Sequence, residues 1–141
     1  MNTNDDQSTM AISADVDRLQ RRLLISKRWL DAVPNDQPKP CLIRRTRADD
    51  GRLEACPLQG EMIVGRHGDG PFRYQPEMES MSRQHFRIFV AHDGRCFVKV
   101  CENAKNGLYV NGREVTTRRL IHGDQLYAGG EEFVFAEASN V

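Results

Sequence analysis

The spacing of apolar side chains changes its period once along the chain. Between residues 13 and 33, Val16, Leu19, Leu23, Leu30 and Val33 recur at intervals of three, four and seven, with Arg18, Arg21, Arg22, Lys27 and Arg28 between them. That spacing lays one apolar stripe along an amphipathic helix over 13–33. Ser13 or Asp15 can cap its start, and Pro34 stops it. Residues 1–12 hold few large apolar side chains and read as a flexible tail. Residues 34–40 contain three prolines, which favour extended backbone and make a short semi-rigid linker.

Beyond residue 40 the pattern is that of short strands, predicted at 42–47, 52–58, 62–65, 84–90, 95–101, 107–110, 125–128 and 132–136. The first two flank Asp49-Asp50-Gly51, a hairpin signal. The others are separated by His92-Asp93-Gly94, Asn111-Gly112, Gly129-Gly130 and similar turn sequences. Many short strands with no helix between them predict an all-β sandwich over 41–136, followed by a short tail at 137–141. No internal repeat is visible.

Composition narrows the function. A chain of 141 residues makes one domain with a short appendage. Its 20 basic and 20 acidic residues cancel, which argues against a nucleic-acid binder acting through bulk charge. No apolar run approaches the length of a membrane span. The polar, acidic start lacks the apolar region of a secretory signal, so a cytoplasmic location is expected. Cys41, Cys56, Cys96 and Cys101 show no C-x-x-C spacing, so they read as reduced thiols rather than a zinc site. No cofactor and no metal is expected.

Three clusters beside predicted loops carry candidate chemistry. Gly65-Arg66 follows the apolar run 62–64, Ser82-Arg83-Gln84-His85 precedes the strand at 86–90, and Asn106-Gly107 and Asn111-Gly112 bracket a short apolar segment. Taken singly, these read as a solvated charge at a strand end, as turn chemistry, and as hairpin turns. Catalytic readings are weaker still. Cys41 and Arg47 fit the bare C-x-x-x-x-x-R spacing of thiolate phosphatases, but the stretch is strand-like and has no glycine. Ser82 and His85 lack a nucleophile elbow, and no phosphate-binding glycine loop is present. The chain is therefore not expected to be an enzyme.

In order, however, Gly65-Arg66, Ser82-Arg83-x-His85, Asn106-Gly107, Asn111-Gly112 and Gly123-Asp124 resemble the forkhead-associated (FHA) domain over roughly residues 41–136. The resemblance implies a β-sandwich of about eleven strands whose loops at one end bind phosphothreonine in an extended peptide. It assigns the phosphopeptide site to Arg66, Ser82, Arg83, Lys105 and Asn106, with Gly65, His85 and Gly107 as structural support. A phosphothreonine carries about −1.5 to −2 charges and three acceptor oxygens. Arg66 supplies a planar, permanently charged donor pair, Ser82 a hydroxyl, Arg83 a second charge, and Asn106 an amide for the peptide backbone. Lys105 departs from the pattern: it stands where the family commonly has a hydroxyl. It either removes a peptide contact or adds a cation that favours acidic ligands. Glu77 and Glu79, in the loop over 76–80, either repel an acidic ligand or shape its preference.

The implied function is a phosphothreonine-dependent adaptor whose partner is a protein phosphorylated by a Ser/Thr kinase upstream. The alternative is an FHA-like scaffold that assembles without reading phosphate. The helix covers too few heptads for a coiled coil, so it is expected to dock on the sandwich or on a partner. Self-association has two routes, through that helix or through Thr9, which has Ile12 three residues on and would occupy another molecule's site once phosphorylated.

Overall fold

The computed structural model describes residues 3–45, 52–67 and 80–137, with side chains from residue 16 onward. One helix, α1 (Thr3–Ala32), precedes ten strands: β1 (Cys41–Arg45), β2 (Leu53–Pro57), β3 (Glu61–Val64), β4 (Phe86–Val90), β5 (Cys96–Val100), β6 (Leu108–Val110), β7 (Arg113–Val115), β8 (Thr117–Leu120), β9 (Gln125–Ala128) and β10 (Glu131–Ala136). They form two antiparallel sheets, β2-β1-β10-β9-β6-β7 and β3-β4-β5-β8. The expected β-sandwich is present, with ten strands among the described residues.

Alternation along each strand decides what lies between the sheets. Leu42, Phe133, Phe135, Leu126 and Leu108 of the larger sheet pack with Val64, Phe86, Ile88, Val98 and Leu120 of the smaller one, all buried. Phe86 and Phe133 meet edge to face across the core, their centroids 5.9 Å apart. The opposite face of the larger sheet is also covered. Cys41, Ile43, Val134 and Ala136 point away from the sandwich core and pack against Trp29 of α1. Both faces of β1 and β10 are thus dry, which explains why their apolar residues run consecutively instead of alternating.

The helix departs from expectation twice. It starts at Thr3 rather than at 13, so the helix extends back over residues 3–12. The polar and acidic sequence there suits a helix first turn, where negative charge complements the unpaired N–H groups. The face that docks is also not the predicted stripe. Trp29 is buried, Ser26 Oγ donates to the Gly123 carbonyl at 2.9 Å, Arg22 Nη1 donates to the Asn111 carbonyl, and Gln125 Nε2 donates to the Arg22 carbonyl at 3.2 Å. Val16, Leu19 and Leu23 are left exposed, while Leu30 and Val33 are half-buried against the sheet. Trp29 adds a cation–π contact with Arg45, 5.9 Å from the ring. Burial of a large aromatic ring outweighs a longer row of smaller apolar groups.

Two strands escape the sequence pattern. β7 and β8 are edge strands, one in each sheet, and carry Arg, Glu and Thr with little apolar alternation. Asn111 and Gly112 join β6 to β7 with φ of 53° and 82°, the left-handed pair that a tight hairpin turn needs. The Asp49-Asp50-Gly51 signal lies outside the described residues, but β1 and β2 pair antiparallel from Cys41↔Pro57 to Arg45↔Leu53, as that hairpin requires. Among the described residues no helix is long and apolar enough to cross a membrane.

Candidate functional site

Gly65-Arg66, Ser82 to His85 and Asn106-Gly107 meet at one end of the sandwich, whereas Asn111-Gly112 lies at the other end of β6, beside Arg22 of α1. At the end of β3 the chain crosses the segment 81–83 at very short range. A Cβ at Gly65 would lie 2.4 Å from the Arg83 carbonyl oxygen and 2.9 Å from that of Ser82, so only glycine fits there. This approach lets Arg66 N–H donate to the Ser82 carbonyl at 3.1 Å and His67 N–H to the Arg83 carbonyl at 2.9 Å. Arg66 Nε donates to the Met81 carbonyl at 2.6 Å, which holds the guanidinium beside Ser82.

His85 is the brace. It is fully buried. Its Nδ1 accepts the Ser82 N–H at 3.1 Å, so the ring proton sits on Nε2, which donates to the Gly107 carbonyl, also at 3.1 Å. One imidazole therefore ties the loop before β4 to the loop before β6. Ser82, itself buried, adds a second tie: its Oγ accepts the backbone N–H of Lys105 at 2.7 Å. With that bond made, the hydroxyl proton remains for another acceptor. Asn106 Nδ2 donates to the Ser80 carbonyl at 2.8 Å, and Ser80 Oγ donates to the Gly129 carbonyl at 2.9 Å.

These bonds also dispose of a nucleophile–base pair. Both nitrogens of His85 are engaged by backbone groups, and neither reaches the Ser82 hydroxyl, which is the contact such a pair needs. Cys41 is buried at the start of β1, and burial pushes its thiol up, with Lys39 acting against that shift and Cys56 adding to it. A reactive cysteine needs the opposite shift. Arg47, its phosphatase-like partner in sequence, lies outside the described residues.

Arg66, Ser82, Arg83 and Lys105 line one open groove of about 1170 Å³. Asn106, next in the chain, is exposed, turns its amide towards Ser80, and is not among the residues lining that groove. Gly107 is less constrained than Gly65, since a Cβ there would first meet the end of the Glu114 side chain, at 2.9 Å. Asn111 and Asp124 play a supporting part. Asp124 is buried and accepts from Asn111 Nδ2 at 2.9 Å and from Ile121 N–H at 2.8 Å, while Asn111 Oδ1 accepts Gln125 N–H at 3.0 Å. Glu77 and Glu79 lie outside the described residues.

The groove continues where the sequence clusters did not point. It runs from the loops onto the outer face of β4 and β5, where Arg87, Phe89, Lys99 and Cys101 line it. Period-two alternation places these residues opposite the buried Phe86, Ile88, Cys96 and Val98. That signal was present in the sequence but concerned a sheet face rather than a motif. Cys96 and Cys101 accordingly separate, the first in the core and the second on the groove.

Residues 62–129 match the family model of the FHA domain. Among solved structures, the chain is similar to an FHA domain analysed for phosphothreonine-dependent interactions, at 24% identity and a TM-score of 0.55, covering 70% of this chain and 98% of that chain. It is also similar to the FhaA FHA domain complexed with the intracellular domain of Rv3910, at 26% identity and a TM-score of 0.53, covering 67% of this chain and 98% of that chain. The FHA domain of CT664 from Chlamydia trachomatis matches at 23% identity and a TM-score of 0.57, over 70% of this chain and 97% of that one. A search of curated proteins finds no match. The likeness to the FHA domain thus lies in residues 62–129, within the sandwich.

Proposed function

We propose that this chain is a non-catalytic adaptor that binds phosphothreonine in an extended peptide, its partner being a protein modified by a Ser/Thr kinase. The observation that carries this reading is the joint placement of Arg66 and Ser82. The guanidinium is held by the Met81 carbonyl, and the neighbouring hydroxyl is oriented by the Lys105 N–H with its proton left to donate. A planar cation and a hydroxyl side by side match two faces of a phosphate dianion. Arg83 and Lys105 add charge at the same end of the groove. A similar FHA domain is described by its phosphothreonine-dependent interactions, which supports the same assignment here.

Two or three charge-assisted hydrogen bonds, each worth about 1.5–3 kcal/mol, must offset the ordering of the peptide. Affinity near micromolar, about −8 kcal/mol, follows. Asn106 favours a second reading. Its amide donor is already bonded to Ser80, as expected of a residue that shapes loops in a phosphate-independent scaffold. Titrating the protein with matched phosphothreonine, phosphoserine and unmodified peptides separates the two. An adaptor binds the phosphothreonine peptide and releases it to excess inorganic phosphate. A scaffold treats all three alike.

A further inference from the structure

The lining of the groove is strongly cationic although the whole chain is neutral. Among the described residues, Arg66, Arg83, Arg87, Lys99 and Lys105 share the lining with two acidic side chains, Glu61 and Glu102, against a chain with 20 basic and 20 acidic residues. Part of this charge lies away from the loops. Arg87 of β4 and Lys99 of β5 are directly opposite each other in the sheet register, both on its outer face. Like charges placed opposite each other weaken a sheet, so folding alone gives no reason for the pair. Glu61 neutralises one of them, its carboxylate 2.7 Å from Arg87 Nη1. Among the described residues Lys99 enters no ion pair, and neither do Arg83 and Lys105.

The position of the pair sets what it can reach. Arg87 follows His85 by two residues and Lys99 precedes Cys101 by two, so each sits about 7 Å along the sheet from the loop end. An extended peptide advances about 3.3 Å per residue, so a group two or three residues from the phosphothreonine comes level with Lys99. The next pair on the same face, Phe89 and Phe97, stacks with centroids 5.3 Å apart, and Phe89 adds an apolar ring to the groove lining.

We propose that Lys99, with Arg87 beside it, forms a second anion site, so that the preferred ligand is a peptide bearing a second phosphate two or three residues from its phosphothreonine. This rests on the phosphothreonine reading and extends it. An acidic peptide suits the groove better than a nucleic acid does, because the cations form one short lane continuous with the Arg66 and Ser82 end, interrupted by Glu61 and Glu102. A polyanion backbone would meet those carboxylates.

The test is fluorescence anisotropy at low salt on the whole chain. One phosphothreonine peptide with neutral flanks is compared with versions carrying a phosphoserine two or three residues away on either side. At least one doubly phosphorylated peptide is expected to bind about fivefold or more tightly than the single one, a gain that shrinks as salt is added. In Lys99→Ala that gain disappears, while the singly phosphorylated peptide binds as before. Equal affinity of single and double peptides overturns the second site and leaves the phosphothreonine reading standing, and so does a gain that survives in Lys99→Ala. Failure of every phosphopeptide to bind removes both. Binding of a single-stranded oligonucleotide as tightly as the doubly phosphorylated peptide, with the same loss in Lys99→Ala, shows a general anion surface and also overturns the proposal.

Discussion

The hydroxyl oxygen of Ser82 accepts the backbone N–H of Lys105 at 2.7 Å, across twenty-three positions of the chain. The bond does two things at once. It closes one loop onto another, and it decides which way the remaining hydroxyl proton can point. Ser82→Ala is therefore expected to weaken phosphothreonine-peptide binding by about tenfold to a hundredfold, the worth of one charge-assisted hydrogen bond. Calorimetric titration measures it. Unchanged affinity would show that Ser82 serves the loops alone.

Arg66→Ala removes the guanidinium that the Met81 carbonyl positions. Loss of two charge-assisted bonds is expected to cost more than about a hundredfold in affinity. Arg66→Lys is expected to recover part of this, since it restores a charge without the planar donor pair. The same titration on both variants tests the order wild type, lysine, alanine. An alanine variant that binds like wild type places the phosphate elsewhere.

His85 holds two backbone groups apart from water, the Ser82 N–H and the Gly107 carbonyl. His85→Ala orphans both and leaves a cavity in a fully buried position. An expected loss of about 2–5 kcal/mol in unfolding free energy follows, read from urea denaturation. A loss below about 0.5 kcal/mol would mean that the loops do not depend on this bridge.

Gly65→Ala forces a methyl group to within 2.4 Å of the Arg83 carbonyl oxygen. The obstacle is backbone, so relief requires the 81–83 segment to move. We expect a destabilisation of about 1–3 kcal/mol together with weaker peptide binding, because the same segment holds Arg66. A variant of wild-type stability and affinity would contradict this close approach.

Alkaline pH tests the core. Burial pushes the Cys96 thiol up to about 11 from its ordinary 9.0, with the Glu137 carboxylate adding to the shift. The unfolded chain loses this proton first, so the contribution of Cys96 is intact below pH 9 and disappears as pH rises towards 11. The difference amounts to about 3 kcal/mol at the upper end. Urea midpoints at pH 8 and pH 10.5 are expected to fall further for wild type than for Cys96→Ala. An equal fall in the two proteins would assign the pH dependence to other groups.

Local chemistry made much of this protein legible before any coordinates. Turn signals such as Asn111-Gly112 punctuate the strands, and the order of Gly65-Arg66, Ser82 to His85 and Asn106-Gly107 carries the family resemblance. The turns depend on neighbours within a few residues, where backbone sterics and side-chain chemistry leave few choices, whereas the ordered clusters, each ordinary alone, spoke only through that resemblance. Tertiary structure decided the rest, because long-range burial overrides local pattern. It selected Trp29 and Ser26 over Leu19 and Leu23 as the docking face of α1, since only that face meets the outer side of β1 and β10. It drew β7 and β8 from polar segments by giving them sheet partners. It also set Lys99 opposite Arg87, a juxtaposition that sequence spacing cannot show, because strand register is fixed only when two distant segments pair.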